Sequence, residues 1–408
     1  MQEIINQLTD TIRAAAANKL PLCIRGGGSK DFYGGPLRGA AFTVNAYCGI
    51  VDYEPTELVI TARAGTPLAE IEAALRGKGQ MLAFEPPHFG LLPSRLPSPL
   101  SPLPHAREGN VVPASPENSS QSPSPLAPLP RAGEGNVESA SPTDRIATLG
   151  GCVAAGLSGP RRAYAGAVRD FVLGVRMLDG TGNDLRFGGQ VMKNVAGFDV
   201  SRLMVGSLGT LGVILEISLK VLPLPAAETT LRFEKTAAEA IALVNEWAGQ
   251  PLPVSATTWV GGDLSARLSG AAAAVDAAAK KLGGKRIDPE PATRFWHGIR
   301  EHTDPFFKTG QSLWRMSLKS TTPPINLPGA QLIEWGGALR WLVTDADAQT
   351  VRAAAALGGG HATLFRCSNK SPDVFQPLPP ALMTIHRNLK RTFDPAGILN
   401  PGRMYDWM

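Results

Sequence analysis

Three glycine-rich stretches hold the residues of this sequence whose types and spacing are best suited to chemistry. They are Ile24–Lys30, Thr148–Gly166 and Gly206–Ile214, and each lies at the edge of an apolar, strand-like segment. Glycine lets the backbone approach a ligand closely and adopt positive φ without a Cβ clash. Consecutive N–H groups in such loops form nests that attract anions. Two such loops suit a diphosphate, although one of them alone is more typical of a plain turn.

The elements that must position these loops alternate between helix and strand. Apolar residues recur on one face of Met1–Lys19 and of Pro67–Lys78, and this pattern predicts two helices. Asp179–Gly182 is typical of a hairpin turn. The predicted strands of this part are Leu20–Arg25, Leu58–Ala64, Val172–Leu178, Asp184–Phe187 and Leu211–Val221.

Residues 226–380 differ in character and predict a separate α+β unit. Six of the seven tryptophans lie there, and we interpret them as core aromatics rather than as a substrate pocket. A final helix has Leu382, Ile385, Leu389 and Phe393 on one stripe and ends before Pro395. The predicted strands are Thr229–Phe233, Val254–Val260, Leu313–Leu318 and Ala338–Val343, between helices at about 236–248, 271–282 and 346–357.

The segment Leu91–Asp144 does not fit this pattern. It has 12 of the 35 prolines, no aromatic residue and no lysine, and its stretch Ser98–Val111 is nearly repeated at Ser124–Val137. Such a composition cannot bury enough apolar surface to offset chain entropy. We predict a disordered, dispensable insertion that arose from a translated DNA repeat. A polyproline segment that binds a partner is the alternative.

Composition narrows the functional classes. The net charge of +5 is mild for 408 residues, and scattered basic residues do not indicate a nucleic-acid partner. The four cysteines lack C-x-x-C spacing and are typical of small buried hydrophobes in a reducing cytosol. The amphipathic N-terminus argues against a signal peptide, and no stretch reaches the length of a membrane span. We therefore expect a cytoplasmic location, with membrane contact only through partners.

Taken together, the loops resemble the FAD-binding domain of the vanillyl-alcohol oxidase, or PCMH, type, and most closely the FAD-binding E subunits of bacterial glycolate oxidases. The matching stretches are Arg25–Lys30, Ala147–Gly151, Leu157–Gly166, Lys193–Asp199 and Phe393–Gly402. The resemblance implies an α+β, PCMH-type two-subdomain FAD-binding fold over 1–225, interrupted at about 91–145. It also implies a cap domain over 226–380 and a C-terminal segment, 381–408, that returns to the FAD domain.

The resemblance also implies which residues contact FAD. Arg25–Lys30 and Thr148–Gly159 would hold the diphosphate, whereas Tyr164–Val168 and Val213–Ile214 would lie against the rest of the cofactor. Many relatives attach FAD to a histidine of the first loop, but Ser29 and Lys30 stand there, so we expect non-covalent FAD. The implied cofactor-binding residues are Arg25, Gly26, Gly27, Gly28, Ser29, Lys30, Pro87, Thr148, Gly150, Gly151, Gly156, Ser158, Gly159, Tyr164, Val168 and Ile214.

The sequence identifies no catalytic base and no metal site. Related 2-hydroxy-acid dehydrogenases carry a histidine-rich site in the cap, and the six histidines of this chain form no such cluster. Arg161, Arg162 and Lys193 are candidates to hold either a substrate carboxylate or the diphosphate. We therefore expect the isolated chain to reduce its flavin poorly with glycolate or D-lactate.

Three functional interpretations follow. In the first, which the resemblance favours, the chain is the FAD-binding subunit of a complex that oxidises glycolate, a small 2-hydroxy acid, to glyoxylate. Its implied partners are a second flavin subunit with the catalytic base and an iron–sulfur subunit that passes electrons on. The second interpretation is an independent FAD-dependent 2-hydroxy-acid or alcohol dehydrogenase. The third is a structural flavin-binding subunit without turnover.

Overall fold

Two antiparallel sheets organise the chain, and each is built from a different part of the sequence. The structure, a computed structural model, describes residues 1–90, 145–189, 199–367 and 373–408. A five-stranded sheet comes from residues before 226, and an eight-stranded sheet comes from residues after it. Leu91–Asp144 and Lys193 lie outside the described ranges, so the disorder of the former and the role of the latter stay predictions.

The predicted helices and strands named above are confirmed, and their observed ends lie within two residues of the predicted ones. Two 3-10 turns lie at Pro305–Phe307 and Trp335–Gly337. The helices are α1 (Gln2–Asn18), α2 (Leu68–Arg76), α3 (Leu149–Ala155), α4 (Arg162–Ala165), α5 (Val168–Phe171), α6 (Val200–Leu203), α7 (Ala237–Ala248), α8 (Ala272–Leu282), α9 (Pro289–Glu301), α10 (Ala348–Leu357) and α11 (Pro380–Phe393). The strands are β1 (Leu22–Arg25), β2 (Ala40–Thr43), β3 (Ile50–Glu54), β4 (Val59–Arg63), β5 (Gln80–Met81), β6 (Val172–Leu178), β7 (Asp184–Gly188), β8 (Val213–Lys220), β9 (Leu222–Pro223), β10 (Ala227–Glu234), β11 (Val254–Val260), β12 (Asp263–Gly270), β13 (Lys285–Ile287), β14 (Leu313–Ser317), β15 (Ala330–Glu334), β16 (Leu339–Val343) and β17 (His361–Arg366).

The first sheet has the strand order β3-β4-β8-β6-β7. Its predicted hairpin is present, because β6 pairs antiparallel with β7 and Leu178 lies opposite Asp184. Asp179 fixes the turn, since its Oδ1 accepts hydrogen bonds from the N–H groups of Thr181 and Asn183. Strands β1 and β2 form a separate parallel pair that leads directly into the first glycine loop.

The second sheet has the order β13-β10-β12-β11-β15-β16-β14-β17, with all its pairs antiparallel. We call the unit that it forms with α7–α10 the cap. An apolar cluster joins the cap to the first unit, because Tyr33, Leu157 and Leu208 pack with cap residues such as Trp341 and Phe365. The two units therefore meet across a buried interface.

The C-terminal segment packs back onto the first strand. The N–H of Leu22 donates to Ile398 O at 2.7 Å, and the N–H of Asn400 donates to Leu22 O at 3.0 Å. The stripe on α11 is only partly covered, since Leu382 and Ile385 remain 45% and 53% exposed. Leu389 and Phe393, nearer the end of the helix, pack against the core.

The two described ends that flank Leu91–Asp144 lie next to each other. The N–H of Ile146 donates to Gly27 O at 3.0 Å, which places this flank beside the first glycine loop. A Cβ added at Gly90 would lie 2.4 Å from Arg145 O. A short connection can therefore span the gap between the two ends.

Candidate functional site

The first and second glycine loops line one cleft of about 500 Å³, which we call the glycine cleft. The C-terminal segment completes its wall through Asn400 and Arg403. Eight of the predicted cofactor-binding residues meet here. They are Arg25, Gly26, Gly27, Gly28, Ser29, Lys30, Thr148 and Gly151.

The first loop presents positive charge to this cleft. Lys30 Nζ lies 3.3 Å from Ser29 Oγ and 3.4 Å from His88 O, and among the described residues it makes no ion pair with a carboxylate. Burial lowers the pKa of Lys30, because its charge has lost water and the attraction of Cys152 and Glu301 offsets that loss only in part. Arg25 pairs with Asp31 and keeps a buried Nε without a hydrogen-bond partner. Such a cradle fits an anionic diphosphate.

The second loop shapes the cleft but offers few free backbone N–H donors to a ligand. The N–H groups of Leu149 and Gly150 already donate to Thr66 O and Ala64 O, at 2.9 and 2.8 Å. The N–H of Gly151 donates to Thr148 Oγ1 at 3.3 Å, which caps α3. A Cβ at Gly150 would lie 2.7 Å from the Ala64 Cβ, so this glycine serves the packing of α3 on the sheet. We therefore expect the first loop to supply most of the charge for the anion.

Asn400 connects three segments around the cleft. Its Oδ1 accepts from the Ile24 N–H at 2.6 Å, and its Nδ2 donates to Leu208 O at 2.7 Å. Lys390 adds a second link, since Nζ donates to Thr210 O at 2.9 Å. The third glycine stretch is thereby fixed to the first through the C-terminal segment.

A second cavity, of about 320 Å³, lies between the cap and the loops of the first unit; we call it the cap pocket. The two cavities are neighbours, because Phe32 follows Asp31 of the glycine cleft and its ring packs on Phe89 of the cap pocket, with ring centroids 5.4 Å apart. Three predicted residues, Pro87, Ser158 and Gly159, line the cap pocket and not the glycine cleft. Its lining is Pro87, Phe89, Leu157, Ser158, Gly159, Pro160, Ile299, Arg300, His302, Arg315, Glu334, Leu339, Trp341 and Phe365.

The remaining predicted residues line neither cavity. Tyr164 faces the cap sheet, where its hydroxyl hydrogen-bonds Thr257. Val168 is fully buried and its N–H donates to Ser158 Oγ at 3.1 Å, while Ile214 is buried within β8. Gly156 ends α3 with φ of 66°, and a Cβ there would lie 2.9 Å from Gly206. Contact of these residues with a cofactor stays a prediction.

Buried ion pairs hold the cap pocket together. Glu85 of the first unit binds Arg161 at 3.3 Å and Arg267 of the cap at 2.8 Å. Burial alone would raise the pKa of Glu85, but the two guanidinium groups outweigh it and lower the pKa to about 2. Glu301 of α9 accepts from the N–H groups of His88 and Phe89, at 3.0 and 2.9 Å. The loop 85–90 is therefore fixed to the cap from both sides.

Backbone strain concentrates at the two cavities. The described residues include eight non-glycine residues with positive φ, and Phe89, Leu208, His302 and Asn400 among them line a cavity. Such conformations cost free energy and persist only where the surrounding structure enforces them, most often at functional sites. The strain therefore supports both cavities as the functional part of the molecule.

Two ionisable groups of the cap pocket were not found by sequence reasoning. Burial raises the pKa of Glu334 to about 8, and its Oε2 accepts from Trp341 Nε1 at 2.7 Å. His302 stacks on Phe307 at 3.9 Å, and burial and two arginines hold its pKa well below the usual range. The tryptophans of the cap could have indicated this pocket from the sequence, because Trp341 is both a core aromatic and part of the pocket wall.

The described residues contain neither a metal-binding cluster nor a helix that could span a membrane. No group of three or more His, Cys, Asp or Glu side chains in the described ranges is arranged to hold a metal ion. No helix in those ranges combines the length and the apolar character that crossing a bilayer requires.

The fold and the glycine cleft define an FAD-binding protein of the PCMH type. Residues 3–90 match the family model described as FAD binding domain, and residues 367–404 match that described as FAD linked oxidases, C-terminal domain. The chain belongs to the family of the glycolate oxidase subunit GlcE, a family of FAD-linked oxidoreductases. It is 44% identical to that subunit of Escherichia coli K12 over 398 residues, which is 98% of this chain and 96% of the relative.

Other comparisons agree with this fold class. The glycolate oxidase subunit GlcD of Bacillus subtilis 168 is 40% identical over 87 residues, 21% of this chain and 18% of the relative. The structure of p-cresol methylhydroxylase superposes with a TM-score of 0.63 at 12% identity, covering 98% of this chain and 87% of the other. Alkyldihydroxyacetonephosphate synthase gives 0.56 at 15% identity, covering 97% and 75%. The predicted α+β, PCMH-type fold is thus confirmed.

Proposed function

We propose that this chain is the FAD-binding subunit of a complex that oxidises glycolate to glyoxylate, and that it binds FAD without a covalent link. The observation that carries the proposal is the glycine cleft, where Lys30, Arg25 and Arg403 surround the backbone of the first loop. FAD, when bound, supplies the acceptor for the hydride that leaves the substrate carbon. The chain's own residues bind and orient the cofactor and, through the cap, exclude water from it.

The non-covalent link is supported by the lining of the cleft. No His, Cys or Tyr side chain lines the glycine cleft in the described part of the chain. Acid precipitation of the purified protein should release the flavin into the supernatant. Yellow colour that stays in the pellet would contradict the proposal.

We propose two partners, a second flavin subunit that carries the catalytic base and an iron–sulfur subunit that receives the electrons. At neutral pH Glu334 is mostly protonated, because burial raises its pKa to about 8, and a protonated carboxyl cannot accept the substrate's hydroxyl proton. Glu334 is therefore disfavoured as the base, and we expect turnover to depend on a partner. We also propose a cytoplasmic location, with membrane contact only through these partners.

Co-purification tests the partners. The chain, tagged and expressed from its own gene neighbourhood, should bring down a flavoprotein and an iron–sulfur protein in fixed ratio. Recovery of the chain alone with full glycolate-dependent activity would contradict the proposal.

A second candidate is an independent FAD-dependent 2-hydroxy-acid dehydrogenase, favoured by the ionisable lining of the cap pocket. Anaerobic mixing of the isolated chain with glycolate separates the two. Slow or absent bleaching of the flavin would support the interpretation as a subunit of a complex. Fast bleaching would show that the chain is an independent dehydrogenase.

A further inference from the structure

Three arginines give the cap pocket positive charge. Arg315 of β14 lines the pocket, and Arg162 of α4 and Arg366 of β17 lie beside it. Within the described residues, none of the three guanidinium groups forms an ion pair. They contact aromatic rings instead: Arg162 and Arg315 lie over Trp335, at 4.3 and 5.2 Å from the ring centroid, and Arg366 lies over Phe32 at 4.7 Å.

Other arginines of the same interface show that carboxylates are available in this part of the molecule. Arg161 is bound to Glu85 and Glu228, at 3.3 and 2.8 Å, and Arg267 binds Glu85 at 2.8 Å. Burying a charge without a partner costs free energy, so structural arginines are normally paired. Within the described residues, Arg162, Arg315 and Arg366 lack such a partner and are only partly buried, so their charge is open to a counter-ion that comes from outside the chain.

The acid inside the pocket does not serve as that counter-ion. Burial raises the pKa of Glu334 above neutrality, even though Arg315 acts in the opposite direction. Burial and the repulsion from Arg315 lower the pKa of Arg162, which shows that the two cations share one field. At neutral pH the pocket therefore keeps a net positive charge.

A second feature points to a ligand independently of the charge. His302 is only 9% exposed and lines the pocket, and its Nδ1 is buried without a hydrogen-bond partner. Its ring is held by Phe307 on one face and by the edge of Trp341 at 4.6 Å, so it cannot turn easily to another partner. Buried polar atoms are normally paired, so this nitrogen needs a partner that the described residues do not supply.

We propose that the cap pocket binds a small carboxylate anion of the 2-hydroxy or 2-oxo acid class, with the guanidinium of Arg315 as its charge partner. The planar guanidinium matches a carboxylate through two parallel hydrogen bonds. The rings of Phe89, Trp341 and Phe365 form an apolar wall of the pocket. The proposal rests on the proposed function, because it assigns the substrate's acid group to this chain.

The experiment titrates sodium oxalate, an unreactive dicarboxylate, into the FAD-loaded chain, with calorimetry and flavin difference absorbance as readouts. We expect saturable binding, and we expect Arg315→Met to weaken it about 10- to 100-fold, the worth of one charged hydrogen-bonded contact. The oxalate affinity of Arg315→Lys should lie between those of the wild type and Arg315→Met, because lysine keeps the charge but loses the two parallel hydrogen bonds of the guanidinium. Arg387→Met is the matched control, since Arg387 also stacks on a tryptophan, Trp407 at 5.1 Å, but lies on exposed α11.

Several outcomes would overturn the proposal. Equal affinity of the wild type and Arg315→Met for oxalate is one, and binding of inorganic phosphate as tightly as oxalate is another. A variant that shifts the flavin's midpoint potential but not the oxalate affinity would assign Arg315 to the flavin instead. If Arg315→Met does not fold, Arg162→Met replaces it, with a smaller loss of affinity expected.

Failure of this inference is distinguishable from failure of the proposed function. FAD content and co-purification with the two partners are measured on the same preparations. A chain that keeps both but does not bind oxalate contradicts only the carboxylate site.

Discussion

The glycine cleft and the cap pocket are neighbouring cavities that are built in different ways. The cleft is lined chiefly by the nearly consecutive residues Ile24–Asp31. Its shape depends on how closely the backbone of other segments approaches the glycines of this loop. Side chains from many distant segments line the cap pocket, and buried ion pairs such as Glu85–Arg267 hold those segments together. We therefore expect the cleft to respond to steric changes and the pocket to respond to charge and pH.

The largest effect is expected at Glu85. Glu85→Gln should lower the free energy of unfolding at pH 7 by about 3–5 kcal/mol, because it leaves Arg161 and Arg267 buried with one carboxylate fewer. Urea unfolding followed by tryptophan fluorescence measures the loss. Glu290→Gln is the control, since its ion pair with Arg294 is exposed and should contribute little.

The effect of Glu85→Gln on the free energy of unfolding should depend on pH. The folded pKa of Glu85, about 2, lies below its ordinary value of 4.5, so its contribution is complete above pH 4.5 and is lost as the pH falls towards 2. The difference between wild type and Glu85→Gln should shrink over that window. A difference that stays constant down to pH 3 would show that charge does not hold the cap.

Steric changes come next, and two glycines separate folding from cofactor binding. A Cβ at Gly27 would lie 2.0 Å from Ile146 O. Gly27→Ala should therefore lower the free energy of unfolding by about 1–3 kcal/mol and abolish most FAD binding. A Cβ at Gly151 meets only Thr148 Oγ1, at 3.2 Å, so Gly151→Leu should reduce FAD occupancy while the apoprotein keeps its stability.

Flavin absorbance per chain and the thermal midpoint of the apoprotein are the measurements for these variants. Gly310→Ala is the control, because no atom lies within 4 Å of its added Cβ. Unchanged FAD occupancy in both cleft variants would show that the loops are structural turns.

A smaller effect is expected at Asn400, which joins the loops without entering the charge network. Asn400→Ala removes its hydrogen bonds to Ile24 and Leu208 and should cost about 1–2 kcal/mol. FAD affinity should fall while oxalate binding by the loaded chain stays the same. Asn388→Ala on exposed α11 is the control. Equal FAD affinity in both variants would show that Asn400 does not stabilise the glycine cleft.

The smallest effect is expected from deletion of Leu91–Asp144. Gly90 and Arg145 approach each other closely at the edge of the structure, so a short linker should preserve both cavities. Loop-closure entropy changes only slowly with length. Soluble yield, FAD content and oxalate affinity should all match the full chain, and a loss of soluble protein would show that the segment packs or binds a partner.

The contrast between the cavities also explains what the sequence could reveal. The glycine loops were predictable, because their residues are contiguous and their chemistry is local. Strand β12 was not predicted, although its apolar residues alternate with polar ones. Its polar face is buried as well, and Arg267 is tolerated there only through a hydrogen bond to Ser255 and an ion pair to Glu85 on other segments. The cap pocket was missed for the same reason: Arg315, Glu334 and His302 acquire their properties only when distant segments meet.

The link between Ile24 and Asn400 has a consequence for how the protein is made. The two residues are 376 positions apart, and at a synthesis rate of about 5–20 residues per second roughly 20–75 s pass between their emergence from the ribosome. During that interval the nascent chain has the first and third glycine stretches but not the amide that joins them. We therefore expect loading with cofactor to be a late step in biogenesis, and we expect a nascent chain released before Asn400 to present an open cleft to chaperones and proteases.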